Sequence, residues 1–193
     1  MKLIGRKALS NSDLWHESFI ESLATVIKPK ISIEVGVAEG RVTRILSKNS
    51  TQVIAIDIDS RAINSIAKLK NVQGILGQSK EILEGLKNEN VMPDLVFIDG
   101  DHRISQVMED FDICFSMLKP EGFILLHDTY PRNQSFVSEI NEWCGNSYLA
   151  PELVRKKYPN TSTITLPLHP GLTLIQRNLK GPSWLFDQNW KGI

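Results

Sequence analysis

An α/β domain with helices on both faces of a mainly parallel sheet is what this sequence predicts, on three observations. Short apolar runs alternate with segments of helical spacing. The last two strand-like runs follow each other with no room for a helix, and 193 residues suit one core better than two. The strands are read at 31–35 (ISIEV), 53–57 (VIAID), 72–76 (VQGIL), 94–98 (DLVFI) and 122–126 (GFILL), each with the near-continuous apolarity of a strand covered on both sides. Helical spacing follows each of the first four: Val42, Ile45 and Leu46, then Ile63, Ile66 and Leu69, then Ile82, Leu83 and Leu86, then Val107, Phe111, Cys114, Phe115 and Leu118. Such a repeat builds a parallel sheet through right-handed crossovers. A further helix is expected after the fifth strand, carrying Trp143.

The ends complete the domain, which is read as one unit over 1–193. Leu14, Phe19, Leu23, Val26 and Ile27 mark an amphipathic cover helix within 1–30, with Ser10, Asn11 and Ser12 as candidate caps and Pro29 just beyond its end. The core spans 31–177. At its close, 162–166 and 172–176 read as a hairpin turning at His169, Pro170 and Gly171, so one strand near the sheet edge is antiparallel. The segment 178–193 carries Trp184, Phe186 and Trp190, a tail expected to pack on its own domain or on a second copy in a homodimer.

Composition excludes several classes of function. Lys and Arg number 22 against 22 Asp and Glu, a formal net charge of +0, so no electrostatic footprint for nucleic acid is present. No stretch approaches the roughly 18 apolar residues of a membrane span, and the first residues do not read as a secretion signal. Cys114 and Cys144 lack metal or redox spacing and read as reduced core thiols. The expectation is a cytoplasmic protein that meets neither nucleic acid nor membrane.

In a doubly wound sheet, ligands bind beyond the carboxyl ends of the strands, so the residues just after each strand are the ones to examine. After the first comes Glu34-Val35-Gly36-Val37-Ala38-Glu39-Gly40, which reads either as a turn that brings a ligand to bare backbone at a helix N-terminus or as a plain strand-to-helix turn. Asp57 ends the second strand 21 residues after Gly36, the spacing at which a carboxylate accepts from both hydroxyls of an adenosine ribose. Asp57 reads alternatively as a cap of the next helix, the role preferred for Asp59 or Ser60. Gln78 and Ser79 follow the third strand and suit an adenine edge, a cap, or both. The fourth and fifth strands deliver Asp99, Asp101 and His102, and His127 and Asp128, to one mouth, a charge set that must be paired, bind metal or move a proton.

With these residues in place the sequence resembles the class I S-adenosylmethionine-dependent methyltransferases over most of 31–177. The carriers are IEVGVAEG, VIAIDID, GILGQSKEIL, DLVFIDGDH, LKPEGFILLHDT and HPGLTLIQR. FIDGDH followed by LKPEGFILLHDT is similar to a branch of small-molecule O-methyltransferases that includes sugar-modifying enzymes of macrolide biosynthesis, with catechol O-methyltransferase more distant. The resemblance implies a Rossmann-like seven-stranded sheet in the order 3-2-1-4-5-7-6, strand 7 antiparallel.

It also implies roles. Glu34, Gly36, Val37 and Gly40 would line the methionine part of S-adenosylmethionine, Asp57 would take the ribose, Ile58 would pack on adenine, and Gln78 and Ser79 would meet its edge, with Asp99 completing the pocket. Asp99 and Asp128 match two ligands of the Mg²⁺ in metal-dependent relatives. The flanking His127 and Thr129 do not match the third, so Mg²⁺ would need waters or Asp101. His102 matches the general base of some relatives, suited to removing the acceptor hydroxyl proton during an in-line methyl transfer. His127 is read as ligand, substrate contact or structural residue, and His16 and His169 as structural or surface residues. The acceptor is a small metabolite such as a sugar or polyketide. The rivals are an NAD-dependent oxidoreductase and a non-catalytic S-adenosylmethionine-binding protein.

Overall fold

The computed structural model describes residues 15–140 and 143–178. The caps read at Ser10, Asn11 and Ser12, residue Leu14, and the aromatic tail lie outside the described residues. Seven strands form one sheet: β1 (Ile31–Val35), β2 (Gln52–Asp57), β3 (Val72–Leu76), β4 (Leu95–Ile98), β5 (Phe123–His127), β6 (Thr161–Leu166) and β7 (Leu172–Arg177). Their order is β3-β2-β1-β4-β5-β7-β6. Pairings from β3 through β5 are parallel, and β7 runs antiparallel to both β5 and β6.

Alternation along the strands divides the core in two. Ile33, Val35, Ile54, Ile56, Val96, Ile98, Ile124, Leu126 and Ile175 face a layer made by α4 (Ser79–Asn88), α5 (Ile104–Met117) and α6 (Ala150–Lys157). Their neighbours Val53, Leu95, Phe97, Leu125 and Leu172 face α1 (Trp15–Ile27) and α2 (Arg41–Asn49), and Ala55 faces α3 (Ser60–Ile66). Each layer ends where its sequence dictates. Asp59 caps α3 by accepting from the Arg61 N–H, and α5 gives way at Leu118 ahead of Lys119-Pro120. Within the first layer Phe111, fully buried, stacks on Phe115 at 5.4 Å and meets Tyr158 edge-on at 5.6 Å.

One element departs from the sequence reading. Among the described residues no helix carrying Trp143 follows β5. A loop with two short 3₁₀ turns, Gln134–Phe136 and Ser147–Leu149, runs instead to α6. Trp143 at φ +52° and Gly145 at φ +50° break helical geometry in mid-loop. The Ser138 N–H donates to the Gly145 carbonyl and the Cys144 N–H to the Phe136 carbonyl, folding the segment back on itself above the strand ends. Among the described residues no helix is long and apolar enough to cross a membrane.

Because Phe111 anchors the layer that packs α5 on the sheet, Phe111→Ala is expected to lower stability by about 3–5 kcal/mol. Urea unfolding followed by circular dichroism measures it.

Candidate active site

The turn after β1 is shaped by a close approach. Gly36 has φ +88°, and a Cβ there would lie 2.1 Å from the Asp99 carbonyl oxygen, so only glycine lets the end of β1 rest against the end of β4. The next two N–H groups, of Val37 and Ala38, donate to Asp57 Oδ2 at 2.8 and 3.1 Å, and the Asp59 N–H donates to Asp57 Oδ1 at 2.8 Å. Three backbone donors thus fix the Asp57 carboxylate as an acceptor over the crevice. Gly40 caps α2. Ile58 and Leu76, at the ends of β2 and β3, are exposed although apolar, which leaves two greasy walls beside that carboxylate.

Two polar residues expected at an adenine edge open α4. Gln78 is its cap residue and its side chain makes no capping hydrogen bond. Ser79 is not the cap: its hydroxyl donates to Asp110 Oδ1 at 2.7 Å.

Glu34 lies beneath the glycine turn, fully buried, and burial pushes its carboxyl up to about 8, with Thr43 beside it only partly offsetting this. Neither Glu34 Oε2 nor the Thr43 hydroxyl has a partner in hydrogen-bonding geometry. At neutral pH Glu34 is therefore an uncharged acid with an unsatisfied oxygen, a group awaiting a ligand or water.

The acids and imidazoles of β4 and β5 converge into a ring of contacts. His127 Nδ1 lies 3.0 Å from Asp99 Oδ1 and 3.3 Å from Asp128 Oδ2, and His102 Nε2 lies 3.4 and 3.1 Å from the same two oxygens. Burial works against the charge on Asp99, but His127 and His102 outweigh it and hold the carboxyl well below its ordinary range. Burial pulls His102 down, yet the hydrogen bond to Asp99 and the charge of Asp128 raise it to about 9. His127 is likewise raised, against burial, by Asp99 and Asp128. The other ring nitrogen of His102 donates to the Trp143 carbonyl, so the loop after β5 orients the ring. That loop must come close: a Cβ on Gly145 would lie 2.2 Å from the His102 carbonyl oxygen, which instead accepts from the Asn146 N–H at 3.0 Å.

Three members of the site were missed in the sequence. His16 is buried on α1 and packs its ring 4.3 Å from that of His127, centroid to centroid; burial and His127 lower it to about 4, so it is neutral. The Cys144 thiol donates to Asp128 Oδ1 at 3.3 Å, and Asp110 holds Ser79. A signal existed for two of them. His16 shares a helical face with Ile20 and Ala24, and Asp110 adjoins Phe111 and sits one turn before Cys114, where a polar residue calls for an explanation. Nothing in local sequence pairs Cys144 with Asp128. His169 proves structural, its carbonyl accepting from Trp15 Nε1 at 3.0 Å and its Nδ1 from the Arg132 N–H at 3.2 Å.

Asp99, His102 and Asp128 each bring one ligand atom within 4.8 Å of the others. Of the supplements an Mg²⁺ ion would need, Asp101 is turned to Arg103, with both its oxygens 2.9 Å from Nε, and the Thr129 hydroxyl accepts from Thr173 at 2.8 Å inside the sheet. Two carboxylates and an imidazole suit a cation that accepts nitrogen better than Mg²⁺, which favours an all-oxygen shell.

This sheet is shared with known proteins. Residues 33–129 match the model of a family described as a methyltransferase domain, and the chain belongs to that family. No curated protein matches it. Among solved structures it is similar to an O-methyltransferase from Bacillus cereus in complex with SAH, at 15% identity and TM-score 0.71, covering 90% of this chain and 84% of that one. It is also similar to the O-methyltransferase TomG from Streptomyces achromogenes in complex with SAM, at 15% identity and TM-score 0.68, covering 91% of each chain. An rRNA methylase from Streptococcus thermophilus shares the fold at 12% identity and TM-score 0.65, covering 92% of this chain and 100% of that one, so the sheet alone does not choose the acceptor.

Two outcomes are expected. Glu34 binds a proton in the folded chain up to about pH 8 and in the unfolded chain only to about the ordinary value of 4.5, so its contribution to stability falls as pH rises across that window. Glu34→Gln should flatten this part of the melting temperature against pH. In calorimetric titrations Mn²⁺ should bind more tightly than Mg²⁺, and Asp128→Asn should weaken both.

Proposed function

We propose that the chain transfers the methyl group of S-adenosylmethionine to a hydroxyl oxygen of a small metabolite such as a sugar or polyketide. The observation that carries this reading is His102 Nε2 held 3.4 and 3.1 Å from the carboxylates of Asp99 and Asp128, beside the glycine turn on neighbouring strand ends. Membership of the methyltransferase family supports the reaction class, and the O-methyltransferases that share the fold favour oxygen as the acceptor atom. A net charge of +0 argues for a small acceptor over a polynucleotide.

S-adenosylmethionine, when bound, supplies a methyl group activated on a sulfonium. The residues present fit it: Asp57 offers an acceptor to the ribose, Ile58 and Leu76 offer apolar faces to the adenine, and the unsatisfied Glu34 Oε2 lies under the turn. The work left to the chain is alignment and proton removal. His102 acts as base in its neutral form and passes to the imidazolium on taking the hydroxyl proton. Asp99 and Asp128 then stabilise that cation, and the Trp143 carbonyl keeps the ring aimed. A cation held by Asp99 and Asp128 alone would compete with the imidazolium for them and favour the neutral base, whereas an imidazole spent as a metal ligand could not take the proton. The loop after β5, with Phe136 set between Trp143 and His169 at ring distances of 5.3 and 4.4 Å, forms the acceptor wall and keeps water out.

His102→Ala should lower methyl transfer, followed as SAH release from a panel of hydroxylated acceptors, by about a hundredfold or more. SAH affinity by calorimetry should stay near that of the unaltered chain. Unchanged turnover removes His102 from the reaction.

A further inference from the structure

Asp110 lies on α5, 1% exposed, in the face that α5 turns toward α4. Its Oδ1 accepts from the Ser79 hydroxyl at 2.7 Å and from Gln106 Nε2 at 3.0 Å, and Gln106 Nε2 also reaches Ser79 Oγ at 3.5 Å. One residue on, Lys80 pairs with Glu109 at 2.6 Å, so the first turn of α4 is tied to α5 at two points. A buried carboxyl demands a reason for its place, since an apolar residue would pack there without the desolvation penalty.

The reason lies in what the contact does to Ser79. A serine hydroxyl has one proton and two lone pairs, so it either donates or accepts toward a ligand according to where that proton points. Burial raises the Asp110 carboxyl to about 6, against the pull of Ser79 and Gln106, which leaves it mainly ionised and acceptor-only at pH 7 and above. The Ser79 proton is thereby committed. Gln78, next to it, has an amide that can flip to present oxygen or nitrogen, and so does not by itself discriminate between ring edges.

We propose that Asp110 is a positioning residue for the cofactor base: by taking the Ser79 hydroxyl proton it leaves the Ser79 oxygen as an acceptor only, which selects a 6-amino purine over a 6-oxo purine. This rests on the reading of the crevice as an S-adenosylmethionine pocket with its base at the start of α4. The 6-amino group of adenine donates to Ser79, whereas a 6-oxo group would set oxygen against oxygen with no proton between them.

The test compares calorimetric binding of SAH and of S-inosylhomocysteine, its 6-oxo analogue, at pH 7.5. The unaltered chain should prefer SAH by about tenfold or more. Asp110→Leu, which frees the Ser79 proton, should narrow that preference to about twofold. Asp110→Asn, which keeps an oxygen for Ser79, should retain it. Melting temperatures establish that each variant is folded, and if Asp110→Leu is not, Asp110→Ala makes the same comparison. Equal binding of the two ligands by the unaltered chain, or full discrimination in a folded Asp110→Leu or Asp110→Ala chain, overturns the proposal while leaving the cofactor reading intact. Failure of the unaltered chain to bind SAH overturns the cofactor reading and this proposal with it.

Discussion

Two carboxylates held at adjacent strand ends, Asp99 after β4 and Asp128 after β5, set the terms for the rest of the site. Asp128 is largely buried and takes the left-handed backbone conformation, with φ +59°. Charges so placed are tolerable only with cations or strong donors around them. The chain supplies the cations from two directions, His127 from β5 itself and His102 from the loop before α5; the Cys144 thiol adds a weaker donor from the loop beyond, and neutral His16 on the cover helix packs its ring on His127. Each partner fixes the position of the element that carries it. The electrostatic requirement of two aspartates thus becomes a geometric one, and the walls of the proposed acceptor side are built around it.

The proposed cofactor side is organised differently. Its polar groups are satisfied mostly by backbone, as where three N–H groups hold Asp57, and charge plays little part. A site with one half set by backbone geometry and the other by side-chain charge suits a reaction in which one partner is always the same molecule and the other differs among relatives of one fold.

The legibility of the sequence follows the same division. Strands β1 and β3 match their predicted limits and the others differ by a residue at one or both ends; the two that match are each bounded by a polar residue and a glycine, Lys30 and Gly36 for β1 and Asn71 and Gly77 for β3. The terminal hairpin and the strand order also stand as expected. Asp59 was readable as a cap because a cap is local. The loop over 128–149 was not readable, since its path depends on Trp143 and Gly145 taking left-handed backbone against partners as remote as His102. His16 and Cys144 escaped for the same reason. Their partners lie 111 residues away at His127 and 16 residues away at Asp128; helical spacing marks His16 as core-facing but names neither partner.

The contact of Trp15 Nε1 with the His169 carbonyl joins the first described helix to the last hairpin of the sheet, 154 residues apart, and the same hairpin turn receives the Tyr130 N–H at the Pro170 carbonyl. Helix α1 also packs Ile20 and Ala24 in the cluster that contains Leu172 of β7. During synthesis α1 leaves the ribosome well before the strand that completes its bed. Its apolar face has no full partner until β7 is made, and His16 meets its ring partner only once β5 is made. Closure of the acceptor side is therefore a late event in folding, governed by the slow formation of distant contacts. A chain stopped short of β7 would keep the parallel strands but leave α1 unanchored, with a half-built site and an exposed apolar helix for chaperones to find.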